Sequence, residues 1–301
     1  MKLRVPGSLT ALITPFREGV VDSEAFERLV EDQIAGGVAG LVPCGSTGES
    51  ATMSHEEHIE VIKLVVRCAR GRVPVIAGTG SNSTAEATRL TLAAKQAGAD
   101  AALLISPYYN RPTQEGIYQH YRRIAAETRF PLIVYNIPSR TGSKIEATTL
   151  ARLAELDEIV GLKEATGSLD EVQEVIRRCG DALAVYSGDD ALTVPIIAVG
   201  GTGVISVIGN CLPRQWSDVV DAALRDDWQT ARRRNYALFP VMRALFLETN
   251  PIPIKAAMAM LGYCRDELRL PLVPMSAGPR QTLRAALLEA GAQLRTTDEH
   301  R

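Results

Sequence analysis

Short apolar runs recur along the chain, and each run is followed by a longer stretch whose apolar residues repeat with helical spacing. In the stretch Glu57–Val66, for example, Ile59, Ile62, Val65 and Val66 share one face of a helix. The runs themselves lack polar alternation, which is typical of parallel strands covered on both faces. Eight runs predict strands that start roughly 20 to 35 residues apart: Leu9–Ile13, Gly40–Val42, Val73–Ala77, Ala101–Ile105, Leu132–Tyr135, Ile159–Leu162, Leu183–Tyr186 and Gly203–Val207.

Eight strand–helix units predict an α/β fold of the (β/α)8 type, a TIM barrel, which typically takes about 250 residues. A doubly wound open sheet is the alternative. The count of eight, and the lack of a Gly-x-Gly-x-x-Gly motif after the first strand, favour the barrel. We expect residues 1–209 to form the barrel and residues 210–301 to form a C-terminal helical extension packed on it. The helices predicted in the extension are Trp216–Arg225, Trp228–Glu248, Ile254–Leu261 and Arg280–Ala290.

One segment, Ala191–Pro213, contains no charged residue over 23 positions, a length that could span a bilayer. It also contains Pro195 and several glycines, which interrupt a regular helix. We therefore interpret it as a buried helix, a glycine turn and a buried strand, and we expect no membrane span.

Composition and charge narrow the classes of partner. The chain has 301 residues, 46% apolar and 23% charged, and 33 basic against 35 acidic side chains give a net charge of −2. Such a balance offers no basic excess for nucleic acid or an anionic membrane, so we expect small molecules or further copies of the chain as partners. Five scattered cysteines without a Cys-x-x-Cys pair indicate reduced thiols, and we expect a cytoplasmic location.

In a barrel of this type the reactive groups lie at the C-terminal ends of the strands, so we expect the barrel part to carry the active site. The second strand ends in Gly45–Glu49, whose glycines and hydroxyls could turn amide groups toward an anion or merely cap the next helix. The adjacent Tyr108 and Tyr109 could serve chemistry or a subunit contact. After the fifth strand, Tyr135 and Arg140 could supply a proton relay and a carboxylate clamp, although Arg140 could equally be a solvated loop charge.

The sharpest signal is Lys163, which ends a buried apolar run in a chain with only six lysines against 27 arginines. An ordinary lysine, with a pKa near 10.4, is only ~0.1% neutral at pH 7.5, and only the neutral amine attacks a carbonyl. Desolvation disfavours the ammonium and lowers the pKa, so Lys163 is a candidate Schiff-base nucleophile. An ion pair with a neighbouring carboxylate is the alternative.

Metal and nucleotide chemistry find little support. His55 and His58 are three positions apart rather than four, which excludes the His-Glu-x-x-His zinc motif, and no phosphate-binding loop or Gly-x-Ser-x-Gly motif occurs. We therefore expect no metal ion and no cofactor.

Several motifs together resemble those of the dihydrodipicolinate synthase family of pyruvate-dependent class I aldolases, from about Gly7 to Leu294. The motifs are Gly45–Glu49, Ser50-Ala51 with His55 and His58, Gly78–Asn82, Pro107–Pro112, Tyr135–Gly142, Gly161–Glu164, Ser187–Asp190 and Asn250–Lys255. Their order and spacing make chance agreement very unlikely. The resemblance implies that the chain condenses pyruvate with L-aspartate 4-semialdehyde, the first committed step of diaminopimelate and lysine biosynthesis.

The resemblance also implies roles for the residues that react. Lys163 would form an imine with pyruvate, so that no separate cofactor is needed. Tyr135 would shuttle protons near that imine. Ser46 and Tyr109 would complete a hydroxyl relay, with Tyr109 reaching in from a neighbouring subunit of a homotetramer built as a dimer of dimers.

Further residues would bind the substrates. Thr47 and the amides of its loop would hold the pyruvate carboxylate, and Arg140 would bind the carboxylate of the semialdehyde. Backbone groups at Gly188 and Ile205 would border the site. Serine at position 46, where family synthases usually have threonine, keeps the hydroxyl but loses the methyl group that stiffens χ1.

Two questions stay open within the resemblance. The sister sialic-acid lyases, which release pyruvate from 2-keto-sugar acids, share the Gly45–Glu49 type of loop but lack an arginine at the position of Arg140, so this residue favours the synthase. Feedback inhibition by L-lysine at a subunit interface is also implied, although the histidines could merely flank a helix start capped by Ser54. The implied positions are Ser50, Ala51, His55, His58, Asn82, Glu86 and Tyr108.

Overall fold

The computed structural model describes residues 3–295. Within that range eight parallel strands form one sheet in the order β4-β1-β10-β9-β8-β7-β6-β5, and a bridge between Leu41 and Val75 joins its two ends into a barrel. Strands β2 and β3 form a small antiparallel hairpin outside the sheet. The strands are β1 Gly7–Ala11, β2 Phe16–Arg17, β3 Val20–Val21, β4 Gly40–Val42, β5 Ile76–Gly78, β6 Ala101–Ile105, β7 Leu132–Asn136, β8 Ile159–Glu164, β9 Ala184–Ser187 and β10 Gly203–Ser206.

Helices surround the sheet, and several begin where a serine accepts a backbone hydrogen bond. The Oγ of Ser54 accepts from the amide of Glu57 at 3.1 Å, which caps α2 as predicted. The helices are α1 Ser23–Ala35, α2 His55–Ala69, α3 Thr84–Gln96, α4 Gln114–Thr128, α5 Pro138–Thr141, α6 Ala147–Leu153, α7 Leu169–Cys179, α8 Thr193–Ala198, α9 Pro213–Leu224, α10 Trp228–Ala244, α11 Ile252–Met260 and α12 Ala277–Glu289.

The predicted (β/α)8 barrel is therefore confirmed, with all eight strands in place and small shifts at their ends. The strand predicted from Val73 begins only at Ile76, because Pro74 has no amide hydrogen to give to the sheet. The first strand ends at Ala11 rather than Ile13, since the amide of Ile13 donates to the side chain of Asn210 at 3.0 Å.

The uncharged segment folds as α8, a glycine turn and β10, as predicted. Across residues 3–295 we find no helix with both the length and the apolar character that crossing a membrane requires.

Helix α9 follows the last barrel strand and packs against β1, α1 and α8, which is the place of the eighth barrel helix. Helices α10 and α12 pack on each other and α11 packs on α12, outside that ring. The division of the chain at residue 209, with the barrel before it and the extension after it, stays a prediction. Residues 296–301 of the predicted extension lie outside the described residues.

Two apolar layers position the chemistry. One fills the inside of the barrel and includes Leu9, Ile133, Tyr135, Tyr186 and Ile205. The other, larger layer packs the outer face of the sheet against the helices. Polar groups at the C-terminal ends of the strands therefore lie above a closed, water-excluding floor.

Candidate active site

A cavity of about 470 Å³ opens at the C-terminal ends of the barrel strands. Its walls come from the ends of β4 to β7, from Arg140 in α5 and from the Asn250 region of the extension. Ser46, Tyr135 and Arg140 all line it, so the structure brings together three side chains that were predicted from separate segments.

Lys163 reaches the inside of the barrel because the register of β8 shifts. Leu132 of β7 pairs with Ile159, whereas the next residue pairs with Gly161, so Val160 is an extra residue in β8. Val160 packs inside the barrel, and without the shift the alternation of side chains would turn Lys163 outward. The bulge instead aligns Lys163 with Tyr135 and Tyr186, which both face inward.

The amine of Lys163 is buried, and its Nζ lies 4.5 Å from the centre of the Tyr135 ring. No oxygen of residues 3–295 accepts a hydrogen bond from it at normal geometry, and the alternative of an ion pair finds no partner there. Burial lowers the pKa of Lys163 to about 8; the Asp190 carboxylate opposes that change and the Arg140 guanidinium adds to it. A pKa of 8 leaves about a quarter of the amine neutral at pH 7.5.

Tyr135 and the backbone at Gly188 surround this amine. Burial raises the pKa of Tyr135 to about 12, so the side chain is a neutral hydroxyl that both donates and accepts. A Cβ on Gly188 would lie 3.2 Å from Cε of Lys163 and 2.7 Å from Cβ of Ala165, so only glycine leaves the lysine side chain its space. Ile205 lies fully buried in β10, on the inner face of the barrel.

The two predicted carboxylate-binding groups meet at one residue of the extension. Asn250 donates from Nδ2 to the Thr47 Oγ1 at 3.0 Å, and its main-chain oxygen accepts from Nη2 of Arg140 at 2.8 Å. Arg140 is exposed and Thr47 is buried. Sequence reasoning assigned no role to Asn250, although it begins the Asn250–Lys255 motif.

Asp190 is a second residue that the sequence reasoning missed. Its carboxylate is buried, and Oδ2 accepts from the amides of Val207 and Ile208 at 3.0 and 2.8 Å, which fixes the turn after β10. Burial raises the pKa of Asp190 to about 6. The sequence signal was the Ser187–Asp190 motif, in which an acidic residue follows a buried strand.

Tyr109 is a predicted site residue whose side chain points away from the cavity of its own chain. Its side chain is 90% exposed, and the residue has a left-handed φ of 69°. The neighbouring Tyr108 lines the cavity instead. The main-chain oxygen of Tyr108 accepts from Nδ2 of Asn82 at 3.2 Å.

Six of the seven predicted lysine-binding residues line the same cavity, and Asn82 is not among its lining residues. Ser50, Ala51, His55, His58, Glu86 and Tyr108 all line it. Glu86 lies 2.6 Å from Nε2 of His55 and also accepts from Ser81, and these hydrogen bonds lower the pKa of its carboxyl group. Burial lowers the pKa of His58, whose Nε2 lies 2.7 Å from the carbonyl oxygen of Gly78.

Comparison with known proteins places this geometry in a family. A family model described as the dihydrodipicolinate synthetase family matches residues 4–290. A 4-hydroxy-tetrahydrodipicolinate synthase of Nitratidesulfovibrio vulgaris is 54% identical over 290 residues, which cover 96% of this chain and 99% of the relative.

Solved structures that resemble this chain belong to the same family. A dihydrodipicolinate synthase from Acinetobacter baumannii, complexed with pyruvate, is 46% identical with a TM-score of 0.95, over 96% of this chain and 100% of that one. The enzyme from Cyanidioschyzon merolae, solved with lysine bound, is 39% identical with a TM-score of 0.93, over 96% of this chain and 99% of that one. With the family matched across nearly its whole length, the chain belongs to the dihydrodipicolinate synthetase family.

Proposed function

We propose that this chain is an enzyme that condenses pyruvate with L-aspartate 4-semialdehyde to 4-hydroxy-tetrahydrodipicolinate. The observation that carries the proposal is the buried amine of Lys163, which has no hydrogen-bond acceptor among residues 3–295 and lies beside Tyr135, a residue that lines the cavity together with Arg140 and Ser46. An amine in that environment is suited to imine formation, and the guanidinium and hydroxyl groups are suited to carboxylates.

The first half of the reaction builds the nucleophile. The neutral amine of Lys163 attacks C2 of pyruvate, and loss of water gives a protonated imine. The positive imine nitrogen withdraws electrons from the methyl carbon, so that a methyl proton leaves and an enamine forms. We propose that Tyr135 carries these protons; its hydroxyl is neutral, and the centre of its ring lies 4.5 Å from the amine.

The second half joins the two substrates. The enamine carbon attacks the aldehyde carbon of the semialdehyde, which forms the new carbon–carbon bond and restores the imine. The amino group of the semialdehyde then attacks the imine carbon, displaces Lys163 and closes the six-membered ring. Ring closure regenerates the enzyme with the free amine of Lys163.

We propose that no cofactor takes part, since the imine nitrogen itself accepts the electrons. Dialysis against a chelator is expected to leave the activity unchanged. A loss of activity that added metal restores would contradict this.

Arg140 supports the synthase over the 2-keto-sugar-acid aldolase. Its guanidinium lies at the mouth of the cavity, where it is suited to the carboxylate of a short substrate. Turnover of pyruvate with the semialdehyde is expected to exceed turnover with a sugar aldehyde, and the reverse order would favour the aldolase.

Tyr109 supports an assembly in which one copy completes the site of another. An aromatic side chain that is 90% exposed, on a left-handed residue beside the cavity, is suited to a subunit contact. We propose a homotetramer, to be checked by sedimentation. Tyr109→Phe is expected to weaken catalysis, and mixing it with Lys163→Ala is expected to restore part of the activity in hybrid oligomers.

The part of the cavity wall that His55 and Glu86 form supports feedback inhibition by L-lysine, because Glu86 offers a carboxylate to a bound ammonium. Titration calorimetry that shows no heat, together with an unchanged rate, would rule this out. A cytoplasmic location also stays a proposal, and the five unpaired thiols are typical of a reducing compartment.

The decisive experiment is borohydride reduction in the presence of pyruvate, followed by peptide mapping. We expect a stable adduct on the peptide that carries Lys163, and none without pyruvate. Folded protein that stays unlabelled in excess pyruvate, or is labelled at another lysine, would overturn the mechanism.

A further inference from the structure

The loop from Gly45 to Glu49 is held by hydrogen bonds from other parts of the chain. Thr14 donates from Oγ1 to the main-chain oxygen of Gly48 at 2.8 Å, and Asn250 donates to Thr47 at 3.0 Å. The loop ends at Glu49, which has a left-handed φ of 56°. A residue with a side chain keeps that conformation only where its surroundings determine it.

Those surroundings centre on Lys255 of α11. Its Nζ lies 2.7 Å from Oε1 of Glu49 and donates to the main-chain oxygens of Thr14 and Glu267 at 2.6 and 3.0 Å. Both charged side chains are fully buried. The other carboxylate oxygen of Glu49 accepts from the amide of Arg269 at 3.1 Å.

Two of the three groups that Lys255 contacts belong to residues that shape the loop. Glu49 ends it, and Thr14 bonds to Gly48 within it. A buried ion pair is weak support for stability, because removing two charges from water costs about as much as their attraction returns. Its geometry is nevertheless specific, since the ammonium must donate to two main-chain oxygens while it lies against the Glu49 carboxylate, whose Oε1 has no hydrogen-bond partner among residues 3–295.

We propose that Lys255 is a positioning residue, which fixes the Gly45–Glu49 loop in the geometry that binds the carboxylate of the 2-oxo acid; this inference rests on the proposed function. The ammonium never touches the substrate. It acts through Glu49 and Thr14, and so it is expected to affect pyruvate binding more than semialdehyde binding, because the loop reaches Arg140 only through Asn250.

The test uses Lys255→Met, Glu49→Gln and the double variant, with Lys63→Met as a matched control. Lys63 forms an exposed ion pair with Glu60 on α2 and contacts no residue of the loop. In Lys255→Met we expect the KM for pyruvate to rise about tenfold, since small displacements of positioning groups are costly. We expect kcat and the KM for the semialdehyde to change far less, and Lys63→Met to match the wild type.

The double variant separates positioning from stability. It removes both charges, and the glutamine introduced at position 49 can donate to a main-chain oxygen that has lost Lys255 as its donor. The melting temperature of the double variant is therefore expected to recover toward that of the wild type. The KM for pyruvate is expected to stay raised, because no ammonium holds the loop. If Lys255→Met does not fold, Glu49→Gln and the double variant carry the same comparison.

A double variant with both wild-type stability and wild-type KM for pyruvate would overturn the inference, as would equal changes in all kinetic constants. Borohydride labelling of the wild type distinguishes failure of the proposed function from failure of this inference. An unlabelled wild type overturns the proposed function and this inference with it. A labelled wild type, with an unaltered KM for pyruvate in the folded variants, overturns this inference alone.

Discussion

Lys163 and Lys255 are both buried, yet their surroundings differ. Each Nζ lies 4.5 Å from the centre of an aromatic ring, Tyr135 in one case and Phe16 in the other. Lys255 also meets a carboxylate and two main-chain oxygens, whereas Lys163 has no such partner among residues 3–295. Burial alone therefore does not make an amine reactive, whereas burial without acceptors does.

The local backbone explains why the acceptors are missing at one site. Around Lys163 the main-chain oxygens already serve the barrel, as the oxygen of Glu164 does when it accepts from Gly188 at 2.7 Å. Thr14 and Glu267 lie in irregular segments, so their oxygens are free to accept from Lys255. The end of a barrel strand therefore leaves the Lys163 amine without an acceptor, whereas the irregular segments around Lys255 provide acceptors for its ammonium.

The largest effect is expected when the reactive amine of Lys163 is removed. Lys163→Met removes the amine, and kcat is expected to fall by about 10³-fold or more, because no other group can form the imine. Initial rates with saturating pyruvate measure this, and circular dichroism checks the fold. Activity within a few-fold of the wild type would show that Lys163 is not the nucleophile.

The next effect concerns stability and has opposite expectations for the two lysines. Lys255→Met leaves the buried carboxylate of Glu49 unpaired and is expected to lower the free energy of unfolding by about 3–5 kcal/mol. Lys163→Met removes an ammonium that has no partner among the described residues and is expected to be neutral or stabilising. Urea titrations at pH 7 compare them, and equal losses in both variants would contradict the distinction.

Burial of Lys163 also determines how the stability of the protein depends on pH. Its pKa falls from 10.5 in the unfolded chain to about 8 in the fold, so between these values the unfolded state binds more protons. The contribution of this group to the free energy of unfolding therefore rises as the pH goes from about 8 toward 10.5. Lys163→Met is expected to remove that part of the pH dependence.

The barrel could be predicted from the sequence because uninterrupted apolar runs determine parallel strands locally. The inward direction of Lys163 could not be derived in the same way, since it depends on the extra residue Val160 in β8. Period-2 alternation counted from Val160 would place Lys163 on the outer face. Only the pairing with β7 reveals the shift.

Contacts between distant parts of the chain also escaped sequence reasoning. Lys255 meets Thr14 across 241 positions, and Asn250 meets Thr47 across 203. No local pattern of residues encodes such a meeting, because it depends on how the extension lies against the barrel. The roles inferred for all the site residues, Lys163 and Arg140 included, stay predictions.

The smallest effect is expected from variants that change the charges around Lys163. The rate of borohydride trapping with pyruvate should fall by about tenfold per pH unit below a pKa of about 8, since only the neutral amine reacts. Asp190 raises the pKa of Lys163, so Asp190→Asn is expected to move this acid limb to lower pH while Asn still accepts from the backbone. Arg140 lowers that pKa, so Arg140→Leu is expected to move the limb to higher pH. Asp181→Asn, on the surface, should move nothing. Shifts of the same sign in the two variants would mean that altered structure, rather than the two charges, changes the pKa of Lys163. The difference between Lys163 and Lys255 would then come from the packing around each amine and not from nearby charges.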